Sequence, residues 1–510
     1  MSWKDLAEMA PKLSEAEIRF EKKRRLAGLV LGPLLFVIVL LSPPLEHVTP
    51  VGMRTLGIFL WIVTWWISEA IPIPVTALFS MALLVVCGIL PAQEAFNYWA
   101  NWINIFLIGA FIIGHATSIH GLTRRLAYRM IASPLLAGDP WRLLVLFGVG
   151  PALFSALISN VVSTMIFLSI ALGLMETLQF PQEGRYGEAL CLAIAWGAAM
   201  GGIITPVGSP PNLIIIGLME PLGYHIGFAQ WTAVCLPVAV AGLAAMFFVI
   251  RYILRPQTTG WQVSPEMLRQ ELEKLGPMSR GEKIAGGALL TAVFLWVLPD
   301  MARIFLGREH DFSVWLAGHL GWEVSAILVA TALFLIPVDW EKRKFAMTWP
   351  EAVKGIEWGT LSLIGGALAL GSMLAHRTLG LGEFFAQSIS SLAASGTSQF
   401  VFVLGGIVFT VLLTNLASNV AISSMVGALA LAVLPSTGLN PLALMVPIAL
   451  ASSMAFSLPM ATPPNAIVFA SGQVRITNMF KSGSVLSLIC VVILSLFGFI
   501  LVEWIFPQGG

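Results

Sequence analysis

The sequence PVGSPPN at residues 206–212 recurs as PMATPPN at residues 459–465, and each copy stands inside a long apolar stretch. Two consecutive prolines remove two backbone donors, so they break a helix. At membrane depth a break is tolerated only where it is buried in protein or lines a polar cavity. A single proline would fit a simple kink. The two matched copies instead predict two broken helices that line a binding site.

Two further apolar stretches, 141–175 and 398–435, are too long for one membrane crossing, and each is interrupted by Ser-Asn-Val, at 159–161 and at 418–420. This pattern predicts re-entrant hairpins. At a hairpin tip, carbonyl groups and an Asn side-chain oxygen can coordinate a cation, and the N–H groups that open the next helix can face an anion. Alternatively, each Asn only satisfies backbone groups at a tight turn. The duplication favours the binding role.

The tips and the proline breaks belong to a longer internal repeat. The pattern Trp-x4-Leu-Ile-Gly at 102–109 recurs at 358–365, and all three matched elements follow in the same order at nearly the same offset. With the topology predicted below from charge, the first hairpin enters from the cytoplasm and the second from outside. The two halves are then inverted relative to each other, which is the plan of many secondary transporters.

The amino-acid composition indicates whether the protein is surrounded by water or by lipid. Of 510 residues, 57% are hydrophobic and 11% are charged, whereas soluble domains have roughly a quarter of their residues charged. Only a lipid bilayer accommodates so much apolar surface. A net charge of +1 does not suggest nucleic acid as a partner. The cysteines and histidines show no spacing typical of a disulfide or metal framework, and no P-loop of a primary pump is present.

Eleven apolar runs are long enough to cross about 30 Å of hydrocarbon. They lie near 26–42, 51–68, 73–90, 102–120, 188–217, 230–250, 284–299, 322–338, 358–375, 443–470 and 483–504. With the N-terminus inside, eleven spans and two re-entrant hairpins leave only Arg54, Arg303, Arg308 and Arg377 of the 28 Lys and Arg residues outside. This asymmetry follows the positive-inside rule. We therefore expect an all-α polytopic protein of the plasma (inner) membrane, with its N-terminus cytoplasmic and its C-terminus outside.

The same topology divides the chain into four segments. Residues 1–25 are predicted to form a charged cytoplasmic helix and not a signal peptide, because no small-residue cleavage site follows the first apolar run. Residues 26–254 form the first membrane half with the first repeat. Residues 255–283 form a charge-rich cytoplasmic linker, and residues 284–510 form the second membrane half with the inverted repeat.

The two tips and the two breaks are predicted to bring four helix N-termini to one point near the midplane. Each N-terminus carries roughly +0.5 of a charge, about +2 in total, which matches a dianion. The four segments contain no Lys or Arg. The anion would therefore be held by backbone amides and by the hydroxyls of Ser159, Ser209, Ser418 and Thr462. Sodium ions beside the tips would supply further positive field.

Glu69 lies where the second and third spans meet, within WWISEAIPIP at 65–74. An ionisable residue inside the membrane is a candidate for a proton relay. Its place near an interface, followed by two prolines, favours a cap or turn role instead.

With its tips, its proline breaks and the stretch around Glu69, the sequence resembles the divalent anion/sodium symporter family. This family includes sodium-coupled dicarboxylate, citrate and sulfate carriers. The pattern S-x2-F-x2-P-M-A-x3-N-A-I-V at 453–468 is similar to the family signature, and WWISEAIPIPVTAL at 65–78 and WGxLxLIGG from Trp358 resemble family hallmarks. The resemblance covers nearly the whole chain. It implies a homodimer of eleven-span protomers, each with a scaffold domain and a transport domain that moves as an elevator.

The resemblance also implies the roles of individual residues. The first sodium site would comprise Ser155, Ser159, Asn160 and Gly208, and the second Thr414, Ala417, Asn419 and Ala461. The substrate would contact Ser159, Asn160, Ser209, Ser418, Asn419, Thr462 and Pro463. The family's usual tips read Ser-Asn-Thr, whereas here Val161 and Val420 replace both threonines. These valines are therefore predicted to affect specificity, because they remove two hydroxyls that would contact a carboxylate.

The leading hypothesis is sodium-coupled symport of small divalent anions, with C4 dicarboxylates such as succinate first. The alternatives are symport of sulfate or another small oxyanion, and sodium-independent dicarboxylate exchange. A channel would also contain broken helices, but paired inverted elements favour alternating access. An intramembrane enzyme would need a base, nucleophile or metal cluster facing the cavity, and the sequence shows no such group, so we expect no enzymatic activity.

Overall fold

The computed structural model describes residues 15–131, 139–177, 184–257, 272–385, 387, 399–437, 440–498 and 502. The first half contains α1 (Glu15–Leu41), α2 (Pro50–Ser68), α3 (Ile73–Val86), α4 (Ala92–Asn97), α5 (Trp102–Ile119), α6 (Leu122–Ile131), α7 (Pro140–Ser155), α8 (Asn160–Thr177), α9 (Arg185–Gly202), α10 (Pro210–Met219) and α11 (Phe228–Val249). The second half contains α12 (Arg280–Leu306), α13 (Asp311–His319), α14 (Trp322–Leu335), β1 (Pro337–Asp339), β2 (Lys344–Phe345), α15 (Trp349–Gly355), α16 (Trp358–Leu374), α17 (Gln399–Thr414), α18 (Asn419–Thr437), α19 (Pro441–Ser452), α20 (Pro463–Ala470) and α21 (Ile476–Ile493).

Several of these helices are long and apolar enough to cross a membrane. Within the described ranges there are six: Arg19–Leu41, Pro50–Ser68, Ala92–Ile119, Phe228–Leu254, Arg280–Leu306 and Ile476–Leu496. The pair α13 and α14 passes the same test with a bend of 66° between its members, which makes a seventh. The other apolar helices are shorter, in part because tips and breaks divide the apolar runs. The protein is thus a multi-pass membrane protein, and the total of eleven spans stays a prediction.

The internal repeat found in the sequence is also present in the order of the helices. In the first half, α5 is followed by the hairpin α7–α8 and the interrupted pair α9–α10. In the second half, α16 is followed by the hairpin α17–α18 and the interrupted pair α19–α20. Each half therefore contains one helical hairpin and one interrupted helix at the predicted positions.

Proline fixes where the helices after the breaks begin. α10 begins at Pro210 and α20 begins at Pro463. Proline fits the first turn of a helix, because the N–H that it lacks would have no intrahelical partner there and its fixed φ suits the helix. α19 begins in the same way at Pro441, where Asn440 Oδ1 accepts from Leu442 N–H at 3.1 Å. The Pro-Pro pairs therefore start new helices.

Small residues let α7 pack closely on α9. A Cβ added at Gly197 would lie 2.1 Å from the carbonyl oxygen of Gly148, and one at Gly201 would lie 2.0 Å from that of Ala152. Helix backbones approach this closely only where small residues face each other. Because α7 leads directly into the first tip, this contact sets where that tip lies.

Two short strands depart from the all-α prediction. β1 and β2 pair antiparallel, with Pro337 opposite Phe345 and Asp339 opposite Lys344. Strands of three and two residues are too short to give an alternating pattern that a sequence analysis could detect. They connect α14 to α15 and leave the helical architecture unchanged.

The predicted segment boundary between residues 25 and 26 lies inside α1, which runs without interruption from Glu15 to Leu41. Parts of the predicted terminal and linker segments lie outside the described residues: 1–14, 258–271, 499–501 and 503–510. The division into four segments stays a prediction.

Glu69 ends α2 with a left-handed backbone, at φ 50°. Its Oε2 lies 3.5 Å from Nη2 of Arg25 and 3.8 Å from Nη2 of Arg24. The carboxylate is thus ion-paired with α1, and this geometry supports the cap and turn interpretation over a proton relay.

Candidate functional site

Both tips and both proline breaks line one cavity of about 500 Å³. The helices α8, α10, α18 and α20 begin at Asn160, Pro210, Asn419 and Pro463, and all four residues lie in its wall. Each helix N-terminus carries roughly +0.5 of a charge. Four such ends from both halves of the chain therefore meet at one cavity.

An asparagine after each Pro-Pro pair holds the break together. Asn212 Nδ2 donates to the carbonyl oxygens of Gly202 and Thr205, both at 2.9 Å. Asn465 makes the matching pair of bonds at the second break, at 2.9 and 3.1 Å. These carbonyls lie at the end of the preceding helix or within the interruption before the next one, where intrahelical donors are missing. The motif by itself does not indicate this role of its asparagine.

At the first tip, polar groups bridge the end of α7 and the start of α8. The Ser155 hydroxyl donates to Oδ1 of Asn160. A Cβ added at Gly208 would lie 2.9 Å from the Ser155 carbonyl oxygen, and one at Gly202 would lie 2.5 Å from Asn160 Oδ1. The two glycines thus leave hydroxyl, amide and carbonyl oxygens close together. Clustered carbonyl oxygens can replace the hydration shell of an alkali cation.

The second tip repeats this chemistry. Thr414 Oγ1 lies 2.8 Å from Asn419 Oδ1 and 2.5 Å from the Ser452 carbonyl oxygen, and can donate its proton to either. The hydroxyl stands five residues before the asparagine, as at the first tip. Asn415 Oδ1 accepts from Ser457 N–H at 2.9 Å and so ties this tip to the second break. The same local arrangement therefore occurs twice around one cavity.

The structure brings most of the predicted site residues together. Eleven of them line the cavity: Ser159, Asn160, Val161, Gly208, Ser209, Ser418, Asn419, Val420, Ala461, Thr462 and Pro463. Ser155, Thr414 and Ala417 are buried and do not line it. Ser155 and Thr414 connect to it through their hydrogen bonds to Asn160 and Asn419. The role of each residue stays a prediction.

One carboxylate in the cavity wall was not predicted from the sequence. Glu357 precedes α16; its Oε1 accepts from the Ser159 hydroxyl at 3.0 Å and its Oε2 from the Thr360 hydroxyl at 3.1 Å. Among the described residues of the wall it is the one Asp, Glu, Lys or Arg side chain, and His115 is the other ionisable group. A charged residue directly before an apolar run ordinarily marks a membrane interface, so Glu357 carried no signal of a site.

The model of the sodium:sulfate symporter transmembrane region matches residues 23–506 of this chain. The chain belongs to that family. Membership in the sodium:sulfate symporter family makes the protein a membrane transporter and not an enzyme, in agreement with the sequence prediction.

Relatives with assigned functions resemble this symporter family member along most of its length. The sodium-dependent dicarboxylate transporter SdcS of Staphylococcus saprophyticus is 33% identical over 489 residues, which cover 94% of this chain and 91% of SdcS. The protein of the same name from Staphylococcus aureus is 32% identical over 483 residues, which cover 92% and 90%.

Two solved structures share the fold of this sodium:sulfate symporter family member. The YdaH transporter of Alcanivorax borkumensis has a TM-score of 0.55 and 14% identity, with 89% of this chain and 99% of YdaH covered. MtrF of Neisseria gonorrhoeae has a TM-score of 0.53 and 13% identity, with 88% and 97% covered. At these identities the likeness concerns the fold alone.

Proposed function

We propose that this protein is a sodium-coupled symporter of small divalent anions, and that C4 dicarboxylates such as succinate are its substrates. The observation that carries the proposal is the convergence of four helix N-termini on one cavity whose described wall contains no Lys or Arg. Such a wall attracts an anion through oriented amides, without a fixed cation that would hold it permanently. The similarity to two sodium-dependent dicarboxylate transporters supports the choice of ion and substrate.

The substrate carboxylates would be bound by the hydroxyls and amides at the helix starts. Ser159, Asn160, Ser418 and Asn419 belong to the tips, and Ser209, Thr462 and Pro463 belong to the breaks. Since tips and breaks from both halves contribute, each end of a short dianion meets one tip. A C4 dicarboxylate fits a cavity of about 500 Å³ with room for cations and water.

The two sodium ions, which are cargo and not resident cofactors, would lie beside the tips. The first would be bound at Ser155, Ser159, Asn160 and Gly208, and the second at Thr414, Ala417, Asn419 and Ala461. The oxygen groups clustered at the first tip, and their counterparts at the second, suit an alkali cation better than a transition metal. Sodium bound there adds positive charge next to the anion, so that each stabilises the other's binding.

The architecture proposed for transport has eleven spans, two re-entrant hairpins and two broken helices in an inverted repeat. The hairpins and breaks would form a transport domain that moves as an elevator against a scaffold, within a homodimer in the plasma (inner) membrane. The N-terminus would be cytoplasmic and the C-terminus outside. The matched order of helices in the two halves supports the repeat within this arrangement.

Uptake into proteoliposomes tests the proposed function. Labelled succinate is expected to accumulate under an inward sodium gradient and to stop accumulating when choline replaces sodium. Uptake that ignores external sodium and rises with internal dicarboxylate would instead identify an exchanger. Competition by sulfate without competition by any dicarboxylate would overturn the substrate assignment while leaving the coupling intact.

The two valines at the tips allow a prediction about the affinity for succinate. Val161→Thr and Val420→Thr are each expected to lower the succinate KM by about 10-fold, because a hydrogen bond to a charged carboxylate contributes roughly 1.5–3 kcal/mol. Both valines line the cavity. Val161→Ala and Val420→Ala are the matched controls, since they change the side-chain volume without adding a hydroxyl. An unchanged KM in both threonine variants would show that these positions do not contact the carboxylates.

A further inference from the structure

One carboxylate lies in the wall of the cavity that is proposed to bind an anion. Glu357 is partly buried and lies in the same wall as both tips and both breaks. It belongs to none of these four elements, because it directly precedes α16. Within the described part of the wall no Lys or Arg stands beside it to neutralise its charge. An ionised carboxylate there repels any dianion that enters.

The hydrogen bonds of Glu357 show which part of the site it faces. Its Oε1 accepts from Ser159, a proposed substrate contact at the first tip, at 3.0 Å, and its Oε2 accepts from Thr360 on its own helix at 3.1 Å. A carboxylate only accepts hydrogen bonds, and its two oxygens offer about four lone-pair positions. Glu357 therefore retains capacity for a further donor on the side of the first tip.

The single proton of Ser159 creates a conflict when substrate binds. If the Ser159 hydroxyl donates to a substrate carboxylate, it no longer donates to Glu357 Oε1. A partly buried acceptor that loses its donor is destabilised. A donor group on the substrate, next to the carboxylate that Ser159 binds, would replace the lost bond, and an ammonium group would also cancel the charge.

We infer that the cavity selects C4 dicarboxylates with a hydrogen-bond donor, a hydroxyl or an ammonium group, on the carbon next to one carboxylate, and that Glu357 accepts from that donor. This inference rests on the proposed function, because it presumes a dicarboxylate at the tips. The inference agrees with the presence of valine at 161 and 420. Without threonine hydroxyls at these positions, the site has fewer donors to the carboxylates, so binding depends more on other contacts. Glu357 is thus a specificity-determining residue, because of which succinate, which has no such donor, binds less tightly than a C4 dicarboxylate that has one.

Direct binding measurements test the inference separately from transport. Isothermal titration of the purified full-length protein in sodium buffer compares succinate, malate and aspartate, which differ at one carbon. We expect malate or aspartate to bind at least about 10-fold more tightly than succinate. In Glu357→Gln, succinate should bind about 10-fold more tightly than in the wild type, and the preference for a donor should fall, because a neutral amide oxygen is a weaker acceptor than a carboxylate.

Two further variants keep the result interpretable. Thr360→Val removes the outer donor to Glu357 and retains the carboxylate, so the preference for malate or aspartate should persist. Glu357→Asp retains the charge one methylene further away and should give an intermediate preference. Equal binding of all three compounds to the wild type, an unaltered preference in Glu357→Gln, or loss of all binding in a monodisperse Glu357→Gln protein would each overturn the inference.

The sodium-driven uptake assay separates this inference from the proposed function. Uptake of succinate that requires sodium and shows no preference for a donor would overturn the inference and leave the proposed function intact. A donor preference that depends on Glu357, in a protein whose uptake ignores sodium, would leave the inference intact and overturn the coupling.

Discussion

Replacement of Asn160 or Asn419 by alanine is expected to raise the sodium concentration for half-maximal uptake by about 10- to 100-fold and to reduce the maximal rate. Each asparagine starts the second helix of a hairpin, lines the cavity and accepts from a buried hydroxyl, that of Ser155 or Thr414. Alanine removes a proposed cation ligand and one hydrogen-bond acceptor of that hydroxyl. Losing a hydrogen bond to a charged group costs roughly 1.5–3 kcal/mol, which corresponds to the expected change of about 10- to 100-fold in the sodium concentration for half-maximal uptake.

Sodium activation of succinate uptake in proteoliposomes measures this effect. Asn415→Ala is the matched control, because Asn415 lies in the second tip but binds the backbone of Ser457 and belongs to neither proposed sodium site. It should lower stability and leave the sodium dependence unchanged. If Asn160→Ala and Asn419→Ala both retained wild-type sodium activation, the cation sites would lie elsewhere.

Gly201→Ala is expected to destabilise the protein by about 3 kcal/mol or more and to abolish uptake. The added Cβ would lie 2.0 Å from the carbonyl oxygen of Ala152 and 2.4 Å from its Cα. Both atoms belong to the backbone of α7, so no side-chain rotation relieves the overlap. Overpacking of this kind typically costs 1–3 kcal/mol and sometimes more. Since α7 ends at the first tip, its displacement also moves Asn160 away from the cavity.

Thermal unfolding followed by tryptophan fluorescence, together with uptake, measures the effect of Gly201→Ala. Gly287→Ala is the matched control within α12, because a Cβ there meets no atom within 4 Å. Alanine is favoured over glycine inside a helix by up to about 1 kcal/mol, so this control should unfold at the same or a higher temperature. A Gly201→Ala protein as stable as the control would show that α7 and α9 do not pack as described.

Features that depend on residues close in the chain could be predicted from the sequence. The high apolar content predicts membrane helices, because only helices satisfy the backbone in lipid without partners from elsewhere. The Pro-Pro pairs predict where α10 and α20 begin, because proline excludes the preceding helix from continuing. The Ser-Asn tips at 159–160 and 418–419 follow for a similar reason, since the polar pair interrupts an apolar run at matched places. The repeat then predicted that these elements act together.

Other features depend on contacts between distant parts of the chain, and only the tertiary structure decided them. Glu357 lies 198 residues from Ser159 in sequence and 3.0 Å from its hydroxyl in space. Asn212 binds carbonyls across a break whose path the sequence does not specify. The sequence thus determined that the chain crosses the membrane with duplicated tips and breaks, because those signals are local. The packing of α16 against α3 and α18 placed Glu357, which precedes α16, beside the first tip, because tertiary packing is governed by the shape of whole helices and not by any short pattern.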